Sequence, residues 1–338
     1  MTIGAITALR WAAAAFATLV MVLAGTWGAC ALWYQAPGQW LKAACVTAWG
    51  VLILAVLIGM VHGRAPWSLG AFVVAFGCLL IWWQRIAPSN ERSWADDVAQ
   101  MTTGSFDGNR VTLRNVRNFD WRTTTDYTQR WETRTFDLDR LNSVDMIMSY
   151  WSGTAIAHML VSFGFDDGDH IVFSVEIRRE RDETFSEIGG FFKQFELSVI
   201  AADERDVVRL RTNVRGEDDY LYRLQMPVKN MRALFIGYVG EANALVETPR
   251  FYNTVTVNCT TLVYHMMKRI VGYLPLDYRL LLSGHLPEYV YEVGGLDRRY
   301  GFEELRNRGR ITDRARQSDR SDSFSSDIRR AVPGINQD

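Results

Sequence analysis

The first 88 residues contain no aspartate or glutamate, and their only basic side chains are Arg10, Lys42, Arg64 and Arg85. The remainder of the chain therefore carries all 38 acidic residues and 33 of the 37 basic ones, a net charge of −5. A domain with a negative net charge is a poor candidate for binding nucleic acid through its overall field. The missing charges thus separate an apolar N-terminal block from a mildly acidic remainder, and they argue against a nucleic-acid partner.

Cysteine is scarce as well. Cys30, Cys45 and Cys78 lie in the apolar block, and Cys259 is the only cysteine of the remainder, which excludes a disulfide within that part. No CxxC pair or histidine-rich spacing suggests structural zinc, so we expect no metal and no cofactor. A lone thiol in such a domain is either a small buried residue or a reactive group.

Three uncharged apolar segments, residues 11–34, 43–61 and 67–83, predict transmembrane helices. A helix needs about 20 apolar residues to cross the hydrocarbon core, so the third and shortest segment is the weakest of the three. A cleaved signal peptide is the alternative for the first segment, but two further apolar runs follow it at once. Basic residues fall on both sides of the spans, so charge leaves the orientation open. We expect residues 1–87 to be a membrane anchor.

From Pro88 onwards, polar and apolar residues mix as in a globular α+β domain, which we expect to cover residues 88–334 before a short tail at 335–338. The patterns predict strands at 110–120 and 130–140, helices at 187–197 and 226–247, and helical pieces on the surface after Phe302.

A β-hairpin is predicted where residues 157–165 and 169–177 flank Asp166-Asp167-Gly168, because the odd positions of both arms are apolar. A two-residue turn would place the two apolar sets on opposite faces, whereas a three-residue loop with a left-handed Gly168 aligns them. That register sets His158 across from Glu176, with Cβ atoms about 5 Å apart. A carboxylate there would orient the imidazole and stabilise its charged form. The alternative is an ordinary surface pair on a solvated face.

A helix is predicted to begin at Cys259, because Asn258 is a favourable N-cap and apolar residues follow at helical spacing. In the first turn, the helix dipole and the free N–H groups favour a thiolate and would stabilise a developing oxyanion. His265 lies six residues on, about 240° around the helix, and should point away from the thiol. The alternative is a buried structural cysteine.

These residues together resemble one family, the periplasmic domain of the Lnb-type bacterial lipoprotein N-acyltransferases. The resemblance runs from about Pro88 to Gly334. It is carried by Ser149-Tyr150-Trp151, Ile156-Ala157-His158, the Phe-Asp-Asp-Gly turn, Ser174-Val175-Glu176, Ala202-Asp203-Glu204-Arg205-Asp206, Arg211-Thr212-Asn213, Arg215-Gly216-Glu217-Asp218, Tyr252-Asn253 and Asn258-Cys259-Thr260-Thr261.

The resemblance implies a permuted papain-like (NlpC-type) fold with an antiparallel sheet, in which histidine precedes cysteine. The Asn-Cys helix start is also similar to that of lecithin:retinol acyltransferase relatives. Position by position, Cys259 matches the nucleophile and His158 the base, with Glu176 as the third member. The resemblance also implies a domain on the periplasmic face of the bacterial inner membrane.

The expected function is thiol acyl transfer at the membrane, from a phospholipid through a Cys259 thioester to an amine such as the N-terminus of a lipoprotein. One alternative is a hydrolase of the same chemistry, either a peptidoglycan amidase or peptidase or a lipid thioesterase. The other is a non-catalytic binding module, in which Cys259 would be buried and out of reach of His158. An apolar channel beside the thiol would favour a lipid enzyme.

Overall fold

The computed structural model describes residues 3–335, so that of the predicted tail only Ile335 lies within the described part of the chain. Two compact units can be distinguished. One comprises Met1–Pro88 with Ser186–Gln194, and the other comprises Ser89–Phe185 with Phe195–Asp338.

The first unit contains three long helices that include the three predicted spans: α1 (Ile3–Gln35), α2 (Gln39–Val61) and α3 (Ala65–Arg85). All three are long and apolar enough to cross a membrane. Their contacts bury Met21, Val56 and Phe72, whereas many outward-facing apolar side chains stay exposed. Helices that are apolar on every side are expected in lipid, where no polar face is required.

Residues 186–194 belong to the same unit as these helices, although they lie far away in the sequence. Phe192 stacks on Tyr34 with ring centroids 5.6 Å apart, and the Lys193 ammonium donates to the carbonyl of Trp83 at 2.8 Å. The predicted helix over 187–197 is wrong, because only the single 3₁₀ turn Gly189–Phe191 forms before a strand begins at Glu196. Two adjacent glycines disfavour a helix, and the aromatic contacts hold the segment in another conformation.

The second unit is built on a mixed but predominantly antiparallel sheet, which confirms the α+β class. The strands are β1 (Thr103–Asp107), β2 (Arg110–Arg117), β3 (Asp120–Trp121), β4 (Tyr127–Thr128), β5 (Trp131–Asp137), β6 (Leu141–Tyr150), β7 (His158–Phe165), β8 (His170–Arg178), β9 (Glu196–Ala202) and β10 (Asp218–Arg223). The main sheet has the order β1-β2-β9-β8-β7-β6-β10, and β5 pairs with β2. Among the strands of the described residues, only the short β2–β9 pairing is parallel, and β3 and β4 form a separate pair.

Up to residue 335, seven α-helices accompany this sheet: α4 (Glu204–Arg209), α5 (Val228–Glu247), α6 (Cys259–Val271), α7 (Leu286–Glu292), α8 (Phe302–Gly309), α9 (Thr312–Gln317) and α10 (Phe324–Ile328). On one face, α5 and α6 cover the apolar odd positions of the hairpin, such as Val161 and Phe173. On the other face, Leu160 and Val172 form a second core with residues of α4, α9 and α10. Both faces of the central strands are therefore buried, and the site lies within this layered arrangement.

The helices after Phe302 were predicted to lie on the surface. This prediction is wrong for their apolar side chains, which are buried. Phe324 and Ile328 are fully buried in the second core. Arg329 is buried as well, and its guanidinium contacts the carboxylates of Asp145 at 2.9 Å and Glu204 at 2.6 Å. The tail thus closes the second face of the sheet rather than lying on it as a solvated segment.

Candidate active site

Cys259 is the first residue of α6, as predicted, and Asn258 caps the helix. The Asn258 carboxamide oxygen accepts from the backbone N–H groups of Thr260 and Thr261, both at 2.9 Å. The Thr261 hydroxyl in turn accepts from the Asn258 N–H at 2.9 Å, which completes a capping box. The cap occupies the amides of Thr260 and Thr261. The amide of Cys259 is therefore the N–H group of the first turn that remains to stabilise the oxyanion of a carbonyl attacked by the Cys259 sulfur.

The predicted hairpin register is confirmed. Gly168 has φ +84°, and Gly164 pairs with His170 and Phe163 with Ile171, so the same register places His158 opposite Glu176. The His158 Nε2 atom lies 3.3 Å from Glu176 Oε1, and the two side chains are only 14% and 18% exposed. The alternative of a surface pair on a solvated face is therefore wrong.

Ser174 bridges the imidazole and the carboxylate. Its hydroxyl lies 2.8 Å from His158 Nε2 and donates to Glu176 Oε1 at 2.7 Å. Nε2–H of His158 can thus donate to the Ser174 oxygen while the Ser174 hydroxyl donates to the carboxylate. Consecutive hydrogen bonds of this kind polarise and strengthen one another. Sequence reasoning assigned no role to Ser174. The available signal was its position two residues before Glu176, which places both side chains on one face of β8.

The His158 imidazole and the Cys259 thiol are near enough to shift each other's pKa. Since Nε2 contacts Ser174 and Glu176, Nδ1 is the nitrogen left to face the sulfur. The backbone N–H of Met159 also lowers the pKa of the thiol. The fold thus brings together the nucleophile and the base inferred from the resemblance, and Cys259 itself is buried.

The electrostatics of the pair favour a thiolate and an imidazolium. Burial is the largest single influence and lowers the pKa of His158, but the negative charge of Glu176 and the hydrogen bonds to Cys259 and Glu176 together raise that pKa to about 9. Burial raises the pKa of the Cys259 thiol, but the hydrogen bond and charge of His158 outweigh this effect and lower it. Opposite shifts of this kind are typical of an activated cysteine nucleophile.

Arg211 contacts the carboxylate from its other side, with a guanidinium nitrogen 3.2 Å from Glu176 Oε1. It is presented by a π-helical segment, Leu210–Arg215, which ends at a left-handed Gly216. Burial raises the pKa of Glu176, but the charges of His158 and Arg211 hold it well below its usual range. Arg211 therefore keeps the carboxylate ionised, and sequence spacing alone gave no signal for this role.

Behind Arg211, further acidic groups extend the polar network into the sheet. Arg211 also contacts Glu217 at 3.2 Å, and the Ser149 hydroxyl bonds Glu217 and, at 2.5 Å, Asp219. Asp219 is fully buried, and desolvation raises its pKa to about 7. The excess of carboxylates compensates the Arg211 charge, so that the guanidinium does not act as an isolated cation beside the imidazolium.

An apolar cavity of about 310 Å³ lies beside the thiol. Thr260, the residue after Cys259, lines it together with Val263 and Met267 on α6, and Met159 and Tyr289 contribute further wall. This volume falls at the small end of the range of about 300–1,000 Å³ for ligand pockets. None of the three predicted site residues lines this cavity, nor do they line a larger pocket of about 430 Å³ that has four arginines in its lining. The apolar cavity adjoins the candidate nucleophile and base through Thr260 and Met159, the residues that follow Cys259 and His158.

The remaining histidines of the domain have other environments. His265 is exposed on α6, as predicted from its helical position. His285 lies 3.2 Å from the Glu288 carboxylate, and His170 Nδ1 contacts the Gly168 carbonyl at 2.9 Å near the turn of the hairpin. His158 is therefore the histidine that the fold assigns to the thiol.

Comparison with known proteins found one family model that covers this site. No curated protein and no solved structure matches the chain. Residues 127–284 match the family model described as the Lnb N-terminal periplasmic domain, and this range includes His158, Glu176 and Cys259. The match and the three apolar helices make the chain similar to membrane proteins of the Lnb type with a periplasmic domain.

Proposed function

We propose that the protein is a membrane-anchored thiol acyltransferase. It would move an acyl chain from a phospholipid, through a thioester on Cys259, to an amine such as the N-terminus of a lipoprotein. The observation that carries the proposal is that the same helix start supplies the activated thiol, Cys259, and one wall of an apolar cavity, Thr260. The proposal includes a permuted papain-like arrangement, with the histidine before the cysteine, on the periplasmic face of the bacterial inner membrane.

In the first half-reaction, the Cys259 thiolate attacks the ester carbonyl of the phospholipid, and the amide of Cys259 stabilises the resulting oxyanion. The tetrahedral intermediate collapses by breaking the bond between the carbonyl carbon and the glycerol oxygen. The His158 imidazolium gives its proton to that oxygen, so the lysophospholipid leaves as a neutral alcohol. The acyl chain remains on the sulfur as a thioester, and the neutral imidazole is ready to act as a base.

In the second half-reaction, the acceptor amine attacks the thioester carbonyl while His158 takes up its proton. The carbon–sulfur bond then breaks, an amide forms and the thiolate is restored beside the imidazolium. Glu176 and Ser174 orient the ring through both steps and stabilise its charged form. Each bond broken is matched by one formed, and the proton balance needs no group beyond His158.

The apolar cavity favours a lipid substrate over a peptidoglycan substrate, since a polar glycopeptide would leave these walls unmatched. Burial of an acyl chain contributes about 0.8 kcal/mol for each methylene group, so a chain of moderate length would bind well in it. Hydrolysis of the same thioester by water competes with transfer to the amine. Which of the two reactions occurs depends on whether water or the acceptor amine attacks the thioester carbonyl.

The proposal is tested with the full chain reconstituted in phospholipid vesicles. After incubation, mass spectrometry of the Cys259 peptide should detect an added acyl group that hydroxylamine removes. Addition of a diacylated lipopeptide with a free N-terminal amine should convert this adduct into an amide, and the N-acetylated lipopeptide should not react. Release of free fatty acid alone would assign the protein as a lipid hydrolase, and a missing adduct would overturn the thiol mechanism.

Three variants isolate the chemistry from the fold. Cys259→Ser, Cys259→Ala and His158→Ala should each abolish acyl transfer, because the thiol and the imidazole act as one unit. His265→Ala, on the exposed side of the same helix, is the matched control and should keep the wild-type rate. Acyl transfer by Cys259→Ala at the wild-type rate would contradict the proposal.

A further inference from the structure

The segment between α6 and α7 exposes large apolar side chains next to the cavity. Leu276 and Tyr273 are 84% and 79% exposed, and Tyr278, Leu281 and Leu282 are 65%, 48% and 40% exposed. Water-exposed apolar side chains concentrated in one short segment are unusual in a soluble surface and indicate a binding surface. We call residues 271–282 the apolar loop.

The apolar loop is held in place rather than loosely attached. The hydroxyl groups of Tyr264 and Tyr289 donate to the carbonyls of Leu274 and Pro275 at 2.9 and 2.8 Å. These bonds fix the backbone immediately before Leu276. The backbone of the loop is thus fixed by hydrogen bonds while its apolar side chains are exposed. Such a loop is preorganised for an apolar partner, because its backbone need not reorganise on binding.

The charges around the apolar loop suit an anionic lipid surface. Lys268 and Arg269 are exposed in the last turn of α6, directly before the loop begins. The loop's one acidic residue, Asp277, is paired with Arg279 at 2.9 Å, and Arg279 also contacts Glu292 of α7 at 2.6 Å. Lys268, Arg269 and Arg279 against Asp277 and Glu292 leave a net charge of +1 at the loop, in a domain that is acidic on average. Basic residues that flank exposed Leu and Tyr side chains are typical of interfacial membrane binding.

The apolar loop and the cavity share residues. Val271, Tyr273 and Leu274 line the cavity, and Val271 and Tyr273 are also among the exposed side chains. We propose that the apolar loop docks on an anionic phospholipid bilayer, inserting Leu276 and the neighbouring apolar side chains at the boundary between headgroups and acyl chains. The three apolar helices of the same chain keep a bilayer within reach of the domain.

Docking at this place would let a phospholipid acyl chain pass from the bilayer to the cavity along apolar side chains, without crossing water. That consequence rests on the proposed acyl transfer, whereas the docking itself does not. The two can therefore be tested separately.

Docking is tested by spin labelling of the full chain in vesicles of phosphatidylglycerol and phosphatidylcholine. The four native cysteines are replaced, and one nitroxide is attached at Leu276→Cys. The control is Phe106→Cys, on β1, which replaces another exposed apolar residue of the same unit, 45% exposed. We expect the label at 276 to be several-fold more accessible to oxygen than to a water-soluble nickel chelate, and the label at 106 to show the opposite order. Equal preference for the nickel chelate at both positions would overturn the proposal, whatever the activity of the protein.

A second arm uses the otherwise unmodified chain and measures catalysis. Leu276→Asp places a charge at the membrane boundary and should reduce acyl transfer from vesicle phospholipid at least tenfold. Its reaction with a short-chain, water-soluble thioester should stay at the wild-type rate, which also shows that the variant is folded. An equal loss on both donors would assign Leu276 to the integrity of the site and would contradict the docking role.

Discussion

The substitution Glu176→Gln removes one negative charge from the His158 imidazole while keeping the size and hydrogen-bonding capacity of the side chain. The Glu176 charge is the largest influence that raises the pKa of His158, and together with the hydrogen bonds to the imidazole it overcomes the opposing effect of burial. Without it, the imidazolium faces Arg211 with a neutral amide between them. We therefore expect the pKa of His158 to fall from about 9 and the pKa of the Cys259 thiol to rise.

The magnitude follows from the geometry. Opposite unit charges 3.3 Å apart attract by about 5 kcal/mol at an effective dielectric constant of about 20. The two side chains are 14% and 18% exposed, so water screens part of this attraction, whereas the repulsion by Arg211 is the same with and without the Glu176 charge. A loss of about half, roughly 2.5 kcal/mol, corresponds to about 2 pKa units and would bring the pKa of His158 to about 7.

The assay is the rate of Cys259 alkylation by iodoacetamide as a function of pH, measured on the full chain by mass spectrometry of the Cys259 peptide. Only the thiolate reacts, so the wild type should react well below the pH at which an ordinary thiol ionises. In Glu176→Gln, the half-maximal rate should move to higher pH, because the thiolate has lost much of its cationic partner. Partial acyl transfer should remain, since glutamine can still orient the ring.

Two matched variants sharpen the test. Ser174→Ala removes the bridging hydroxyl but leaves the carboxylate charge, so it should cause a smaller shift of about one unit, the range of a hydrogen bond to a charged group. His265→Gln, far around the same helix, should cause none. Identical alkylation profiles for the wild type and Glu176→Gln would refute the reasoning that the Glu176 charge sets the thiolate.

Further predictions concern the cavity and the second core. Met267→Trp should narrow the cavity and lower kcat/KM for long-chain donors by about fourfold for each methylene excluded, equivalent to about 0.8 kcal/mol. His265→Ala, exposed on the same helix, is the control and should leave kcat/KM unchanged. Arg329→Ala leaves the buried Glu204 carboxylate without its arginine and removes one of two arginines from Asp145, which Arg223 still contacts. The change should lower the free energy of unfolding by about 3–5 kcal/mol in urea titrations. Arg330→Ala, at a neighbouring residue that is 67% exposed, should lower the free energy of unfolding by less than about 1 kcal/mol. Because the folded-state pKa of Glu204 is lowered to about 2, its stabilising contribution should be complete above its usual value of 4.5 and disappear as the pH falls towards 2; Glu204→Gln should flatten that acid limb.

The features predicted correctly from the sequence are those that local rules determine. The period of two in β7 and β8 and the left-handed Gly168 define the hairpin register, and the register places His158 opposite Glu176. The helix start at Cys259 follows from the Asn258 cap, which needs only the next three residues. In each case, the information lies within a few residues of the feature.

The features missed depend on contacts between distant segments. Arg211 reaches Glu176 from a π-helical segment, a conformation that periodicity does not predict. The error at 187–197 has the same origin, because Phe192 and Lys193 contact groups more than 100 residues away. Arg329 resembled a residue of a solvated, charged tail until the fold placed it between Asp145 and Glu204.

The burial of both faces of the hairpin explains why a histidine–glutamate pair can act electrostatically here. On a solvated face, the attraction between such charges would be screened and worth little. The second core around Leu160 and Val172 excludes water from the polar face, so the effective dielectric constant is low and the Glu176 charge acts strongly on the imidazole. The same burial would leave an unpaired carboxylate unstable, which is why Arg211 is needed on its far side. Thiol activation therefore depends on residues that touch neither the thiol nor the cavity, through the single carboxylate that they hold ionised.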